Sequence, residues 1–487
     1  MLEVELKFQI PAQHQKKLYQ LFLAKNAQPR SLFAQYYDTP ERHLAQQHIS
    51  LRQRLEDTHW IQTLKASSEH HLERFELEID LGPLEHPALN LEIYQSHPQA
   101  KKVLEHALGK QAKNLSMQFE TDVNRLVYVV HYNHAEIEVS LDRGEIRHDK
   151  QKLAIYELEF ELKKGAIANF IQFIQPWVKQ YDLWLDVRSK AQRGDCLTQN
   201  LKTTTVQFAA PLQLNRQDST DAALKQIVNN SLQHLLPNAT AIASEHYTHE
   251  HVHQTRVAIR RLRSALRIFG DWSNDVDPNW QQQLATLFRQ LGSTRDRDAL
   301  NEGLIPQLQQ AGAPFTQLPP TTEENNVPID TALRALDTVQ LMLALLRFVH
   351  QPAKKQKKTV LKKDIAKKLQ KLHQQICKDA DQFLELDIPS QHRTRKRVKR
   401  LRYCVEFIAS LYPNKAVKKY LKDLKPLQES LGQYNDLIVA ETMFLDIVQR
   451  KQKVWFVLGW IANEKKYILQ QIEQHLVTFS KTDTFWS

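Results

Sequence analysis

Residues 1–10 read MLEVELKFQI, and the run EVELK sets the question for the whole chain. Side chains alternate with period two along an extended strand. Glu3, Glu5 and Lys7 therefore share one side, and Leu2, Val4, Leu6 and Phe8 the other. A sheet with one wet face gives the same alternation. The pattern recurs, however, in stretches whose charges are segregated. Arg52 and Arg54 share a face in SLRQR, as do Glu136, Glu138 and Asp142 in EIEVSLD if the strand runs that far. In YELEFELK, Glu157, Glu159, Glu161 and Lys163 oppose Tyr156, Leu158, Phe160 and Leu162. Curled with its charges inward, such a sheet encloses a lumen with an acidic and a basic side. Crowded carboxylates are costly without cations to neutralise them. Hard divalent ions accept oxygen ligands and bridge to phosphates, and converging Arg and Lys suit phosphate oxygens. Together they describe a phosphoryl-transfer site. With no GxxxxGK[ST] and no GxGxxG in this region, side chains would hold the phosphate.

Further period-two segments are Trp60–Leu64 and Arg74–Leu81, with helical patterns at Gln13–Ala24 and Ile167–Tyr181. Residues 1–200 therefore read as an α+β domain dominated by an antiparallel sheet. Periodicity fades in the Thr-rich stretch 201–217, the expected linker. Residues 218–487 read as all-helical, broken at 311–328 by AGAPFTQLPPTTEENNVP, an expected surface loop. This half is internally duplicated, as units of about 218–345 and 346–487. His253-x-x-Arg256-x-x-x-Arg260-Arg261-Leu262-Arg263 recurs as His392-x-x-Arg395-x-x-x-Lys399-Arg400-Leu401-Arg402. Leu291-Gly292-x-x-Arg295-Asp296 recurs as Leu431-Gly432-x-x-Asn435-Asp436 at matched spacing.

At 487 residues, 42% apolar and 25% charged, the chain has the composition of a soluble protein of two to three domains. Cys196, Cys377 and Cys404 lack metal-type spacing, and a disulfide framework is not expected. No apolar run reaches the roughly 18 residues of a membrane helix, so a cytoplasmic protein without a membrane partner is expected. The net charge of +11 is uneven. Residues 1–200 hold 25 Lys+Arg against 27 Asp+Glu, and 201–487 hold 41 against 28. The helical half thus asks for a polyanionic partner.

The ordered series EVELK, YYDTPERHL (36–44), LRQR (51–54), TLK (63–65), RFELE (74–78), LDRGEI (141–146), ELEFELKKG (157–165) and SKAQRG (189–194) resembles the CYTH family of triphosphate-handling enzymes. The resemblance implies an eight-stranded antiparallel tunnel. It places divalent metal, Mg²⁺ or Mn²⁺, on Glu3, Glu5, Asp142, Glu157 and Glu159. It places triphosphate on Lys7, Arg52, Arg54, Lys65, Arg125, Lys190 and Arg193. Glu5, Lys65 and Glu157 would take part in catalysis, with water attacking a terminal phosphorus in line.

On a helix, offsets 0, 3, 7 and 10 fall within about 80°. His253, Arg256, Arg260 and Arg263 thus form one stripe, and His392, Arg395, Lys399 and Arg402 a second, with Val252, Ile259, Leu262, Leu266 and Phe269 turned to the core. A basic stripe can be a solvated face, but a histidine-led stripe occurring twice asks for a purpose. VHQTRVAIRRLRSALRIF (252–269) and QHRTRKRVKRLRYCVEF (391–407) resemble the CHAD family, with Lys396 and Arg397 at positions more usually apolar. That resemblance implies a duplicated helical-bundle domain binding inorganic polyphosphate through these stripes, Arg261 and Arg400. Nucleic acid is disfavoured, since no aromatics are interleaved for base stacking.

The expected function is metal-dependent hydrolysis of inorganic triphosphate to diphosphate and phosphate, beside a polyphosphate-binding module. CYTH-type adenylate cyclase, thiamine triphosphatase and a non-catalytic polyphosphate-binding protein are the alternatives.

Overall fold

The computed structural model describes residues 2–67, 73–314, 317–319, 327–354 and 361–486, with side chains described for all of these except 2, 3, 67, 73, 74, 293–296, 298 and 299. The described chain forms two compact units. The first comprises residues 1–207, 235–251 and 329–351; the second comprises 208–234, 252–328 and 352–487.

The first unit is built on one antiparallel sheet. Its strands are β1 (Leu2–Gln9), β2 (Gln28–Asp38), β3 (Ile49–Glu56), β4 (His59–Ser67), β5 (Glu73–Gly82), β6 (Ser116–Tyr132), β7 (Ala135–His148), β8 (Gln151–Lys164) and β9 (Trp184–Leu185). The first eight close into a ring in the order β1-β5-β4-β3-β2-β6-β7-β8, because β1 pairs with β5 through residues 2–4 and with β8 through residues 5–9. The sheet has nine strands rather than the eight expected. The addition is β9, a two-residue strand that pairs with Phe8 and Gln9. Closure removes the sheet edges and gives every strand an inner and an outer face.

The expected segments all lie in strands, and β7 runs on to His148, which puts Asp142 inside it. Strands β2 and β6 were not expected. The 17-residue β6 pairs with β2 on one side and β7 on the other. The β6–β7 hairpin turns through Asn133 and His134, both with positive φ, the geometry that two-residue hairpin turns require.

Outer-face residues are covered by helices. Phe8, Leu158 and Phe160 are fully buried, and Phe160 packs edge-on against Phe173 and Trp177 of the helix Ile167–Tyr181. Leu51, Leu64 and Leu44 share a second core with Leu104 and Leu108 of the helix Pro98–Leu108. No helix among the described residues is long and apolar enough to cross a membrane.

The second unit is helical. Its helices include Trp280–Gln290, Gly292–Gln310, Leu361–Ala380, Ile388–Ile408, Asn414–Leu445 and Val454–Ser480, with parts of Thr220–Ala243 and His249–Phe269. As the helical spacing predicts, Val252, Ile259, Leu262, Leu266 and Phe269 are buried. Of the expected loop at 311–328, residues 315, 316 and 320–326 lie outside the described residues.

Candidate functional site

The register of the ring sets the barrel site. β6 places Arg125 opposite Asp142 of β7, and β7 places Asp142 opposite Glu157 and Ser140 opposite Glu159 of β8. β8 in turn places Glu159 opposite Lys7 and Glu161 opposite Glu5 of β1. Three carboxylates thereby converge, with one oxygen each of Asp142, Glu157 and Glu159 within 4.8 Å of one another. Asp142 and Glu157 are wholly buried.

The cluster is held by cations. Arg125 Nε and Nη2 donate to the two oxygens of Asp142 at 2.6 and 2.7 Å, and Nη2 also donates to Glu159. The Lys190 ammonium lies 2.7 Å from each of Asp142, Glu157 and Glu159. Arg193 Nη2 donates to Glu157 Oε2 at 2.6 Å. Burial alone would push the Asp142 and Glu159 carboxyls up. Lys190 and Arg125 outweigh it, holding Asp142 below and Glu159 well below the usual carboxylate range. The carboxylates likewise outweigh the downward push of burial on Lys190 and hold its ammonium well above its ordinary value.

The helix Lys190–Thr198 supplies Lys190 and Arg193. Ser189 caps it, accepting from the Gln192 N–H, while the Gln192 side chain accepts from the Ser189 N–H. Arg42 clamps Asp195 through two 2.6 Å hydrogen bonds. Gly194 lies against Phe119, whose ring carbons would come within 2.1 Å of an added Cβ. Gly194→Ala is therefore expected to displace this helix and to lower stability by ~1–3 kcal/mol, read as a lower urea midpoint.

A cavity of about 270 Å³ is lined by Asp142 and Glu159 and by Arg52, Arg54 and Lys65, with Glu5, Arg125 and Lys190 also in its wall; Glu157 lies behind that lining. Lys65 pairs with Glu76 at 2.9 Å; Arg52 lies 3.7 Å from Glu78, and Arg54 lies 3.3 Å from Glu78 and against Glu56. Even so, the Nε–H groups of Arg52 and Arg54 are buried donors with no acceptor among the described residues. Such donors fit an anion.

The remaining expected residues are placed as follows. Lys7 is buried, donates to the Arg188 carbonyl and lies 3.9 Å from Glu157. Burial pushes its ammonium below the ordinary value. Arg193 grips Glu157 but is absent from the lining of the 270 Å³ cavity. The Glu3 side chain lies outside the described ones. Among the cavity residues that sequence reading missed are Tyr36 and Asp186. Tyr36 accepts from Arg52 Nη1 at 3.5 Å and stands at the head of the YYDTPERHL run. Asp186, wholly buried and paired with Arg188 at 2.8 Å, follows a two-residue strand that carries no periodicity.

The donor set fits a divalent cation. It is all oxygen, and one oxygen each of Asp142, Glu157 and Glu159 lies within 4.8 Å of the others.

In the second unit the helices His249–Phe269 and Ile388–Ile408 bring their basic residues together. Lys399 lies among Arg395, Arg260, Asp436 and Arg256; burial first, then Arg395 and Arg260, with Arg256 adding to them, outweigh the Asp436 carboxylate and push its ammonium down to about 6. Burial and Arg267 push the Arg400 guanidinium down to about 10. The Arg263 Nε–H is buried without a hydrogen-bond partner among the described residues. Arg256 stacks on Phe288 at 4.5 Å and donates to the Leu291 carbonyl at 2.8 Å; an added Cβ at Gly292 would meet its guanidinium at 2.9 Å. His392 Nδ1 lies 3.0 Å from Asn435 Oδ1, so the second LG-x-x-ND run orients the second histidine. The Arg295 and Asp296 side chains of the first run lie outside the described ones, and His253 is half-buried on its helix. Two residues stand apart from the cluster. Arg261 is buried between Glu406, at 2.6 Å, and Asn230, at 3.1 Å, while Arg402 is exposed and donates to Glu406 and Gln428.

The fold and site define a class of protein: a closed antiparallel barrel carrying a three-carboxylate cluster and buried arginines, in a chain that also builds a basic helical unit. Residues 1–194 match the CYTH domain model and residues 226–445 the CHAD domain model. The chain carries a CYTH domain followed by a CHAD domain. A curated relative from Haemophilus influenzae, an inorganic triphosphatase, is 31% identical over 199 residues, which are 39% of this chain. The chain spans about half of that relative, 54% of its length. Among solved structures, the CHAD domain from the plant Ricinus communis is 27% identical with a TM-score of 0.46, covering 56% of this chain and 96% of that one. A crystallised inorganic triphosphatase is 17% identical with a TM-score of 0.14, covering 33% of this chain and 72% of that one.

Proposed function

We propose that the barrel hydrolyses inorganic triphosphate with a divalent cation, Mg²⁺ or Mn²⁺, and that the helical unit binds inorganic polyphosphate. One observation carries the first half: two members of an oxygen-only carboxylate cluster, Asp142 and Glu159, line the same cavity as Arg52 and Arg54, whose Nε–H groups are buried donors without an acceptor among the described residues. Binding a polyanion requires only the cations; the carboxylates call for a metal.

Arg52, Arg54 and Lys65 would grip the phosphate chain, displacing the glutamates that now pair with them, and Arg125 and Lys190 would hold its other end beside the carboxylates. Asp142, Glu157 and Glu159, joined by Glu5 and, as the CYTH resemblance implies, by Glu3, would hold the cation, which would offset charge on the phosphate oxygens. Fixing the chain in the closed barrel orients the terminal phosphorus for in-line attack and excludes bulk water. The test is a panel of tripolyphosphate, ATP, thiamine triphosphate and long-chain polyphosphate, with phosphate and cyclic AMP both measured. Phosphate from tripolyphosphate is expected to dominate; cyclic AMP as the main product would replace the reading with a cyclase.

The second half rests on the crowding of Arg256, Arg260, Arg395 and Lys399. A lysine titrating near 6 is mostly neutral at pH 8. A bound polyanion favours its charged form, so binding at pH 8 takes up a proton, approaching one per site. Affinity is therefore greatest below pH 6 and falls as pH rises through 6 to 8. Titration calorimetry in buffers of differing ionisation enthalpy measures the uptake; a null result, or uptake unchanged in Lys399→Met, refutes the assignment of Lys399.

A further inference from the structure

Behind the carboxylate cluster, within the first unit, lies a second cavity of about 430 Å³. Arg188, Arg193, Lys202 and Arg334 line it together with His246, and no carboxylate is among its lining residues. The acids that pair with Arg188 and Arg193, Asp186 and Glu157, are wholly buried outside that lining. Lys202 is exposed and has no ion pair among the described residues. Arg193 is 7% exposed, and its Nε–H has no acceptor among the described residues. Arg334 is stacked over Trp184 at 5.2 Å, lies 2.7 Å from Glu245 and 3.8 Å from Asp330, and donates to the Ala243 carbonyl, contacts that fix its guanidinium; both acids lie outside the lining. A cavity of this size lined by four cations and no acid, with the Arg193 Nε–H unsatisfied and Lys202 without an ion pair among the described residues, fits an anion.

We propose that this second cavity binds a small phosphate-bearing anion, and that its occupancy is coupled to the barrel cluster through Glu157. Arg193 and Gln9 line the cavity, and both donate to Glu157 Oε2, at 2.6 and 3.3 Å. An anion drawing Arg193 toward the cavity leaves Glu157 with more uncompensated charge, so divalent cation and anion bind each other's complex more tightly. Linkage makes that gain reciprocal. The coupling rests on the cation site proposed above; anion binding does not.

Cys196 lines the cavity, and its neighbourhood supplies a local probe. In the full-length protein, iodoacetamide labelling mapped by peptide mass spectrometry reports Cys196 separately from Cys377 and Cys404. Saturating inorganic phosphate, diphosphate or ADP is expected to slow Cys196 labelling several-fold and leave Cys377 unchanged. Protection by the inorganic ions alone identifies a reaction-product ligand, and protection by ADP alone a nucleotide. Lys202→Glu is expected to raise the protecting concentration about tenfold, and Lys202→Arg to preserve it. Absence of protection by all three, or protection undiminished in Lys202→Glu, overturns the anion site. The coupling is read separately, as tighter Mn²⁺ binding in the presence of the protecting anion in wild type but not in Lys202→Glu. Equal Mn²⁺ affinities with and without anion overturn it while leaving the anion site standing. Neither readout requires turnover, so loss of the triphosphatase reading is distinguished by the substrate panel.

Discussion

Glu157→Gln will lower the rate of tripolyphosphate hydrolysis on the order of a hundred- to a thousand-fold, with a parallel loss of Mn²⁺ affinity. Glu157 meets two demands at once. One oxygen is buried and paired with the Lys190 ammonium at 2.7 Å; the other accepts from Arg193. The amide keeps the shape and can still accept through one oxygen, but it removes the charge a cation needs. The conservative change matters, because truncating one partner of a buried ion cluster typically costs ~3–5 kcal/mol and would confuse lost catalysis with lost folding. Phosphate release and Mn²⁺ calorimetry are the measurements, with circular dichroism confirming the fold. Wild-type turnover and Mn²⁺ affinity in the variant would refute the role of the carboxylate cluster.

The double substitution Arg260→Ala with Arg395→Ala will weaken polyphosphate retention on the order of a hundred-fold and leave tripolyphosphate hydrolysis within about two-fold of wild type. Charge-assisted hydrogen bonds contribute ~1.5–3 kcal/mol each, and two are removed. Both guanidiniums crowd Lys399, so their loss also relieves the repulsion that lowers the Lys399 pKa. The proton uptake at pH 8 should shrink with the affinity. Hydrolysis abolished by this helical variant, or retention unchanged, would overturn the division of labour between the units.

Much of the barrel was legible because a period-two code is local. Each of EVELK, SLRQR and YELEFELK states which residues share a face without reference to any other strand. The two strands that went unseen show the limit of that code. β6 carries Arg125 in a run, TDVNRLVY, where the polar residue count on the inner face is too low to alternate visibly, and β2 has Tyr and Gln on both faces. Their strand character comes from being paired on both sides within the ring. In the helical unit, the repeat exposed both basic stripes, but spacing could not tell Arg261 from Arg260. Adjacent residues on a helix differ by 100°, and only packing against Glu406 and Asn230 turns one of them into a buried tie.

By itself, the order of residues decided which charges could act together on a strand or helix, where the chain changes from sheet to helix, and that the helical half is duplicated. Those properties depend on spacing along the backbone. Which carboxylates meet, that Lys190 stands between them, and that Arg193 turns from the barrel cavity toward a second one were decided by the folded chain. Ring closure and the docking of one glycine-anchored helix set distances between residues far apart in sequence, and charge interactions fall off too steeply with distance for any one-dimensional pattern to specify them.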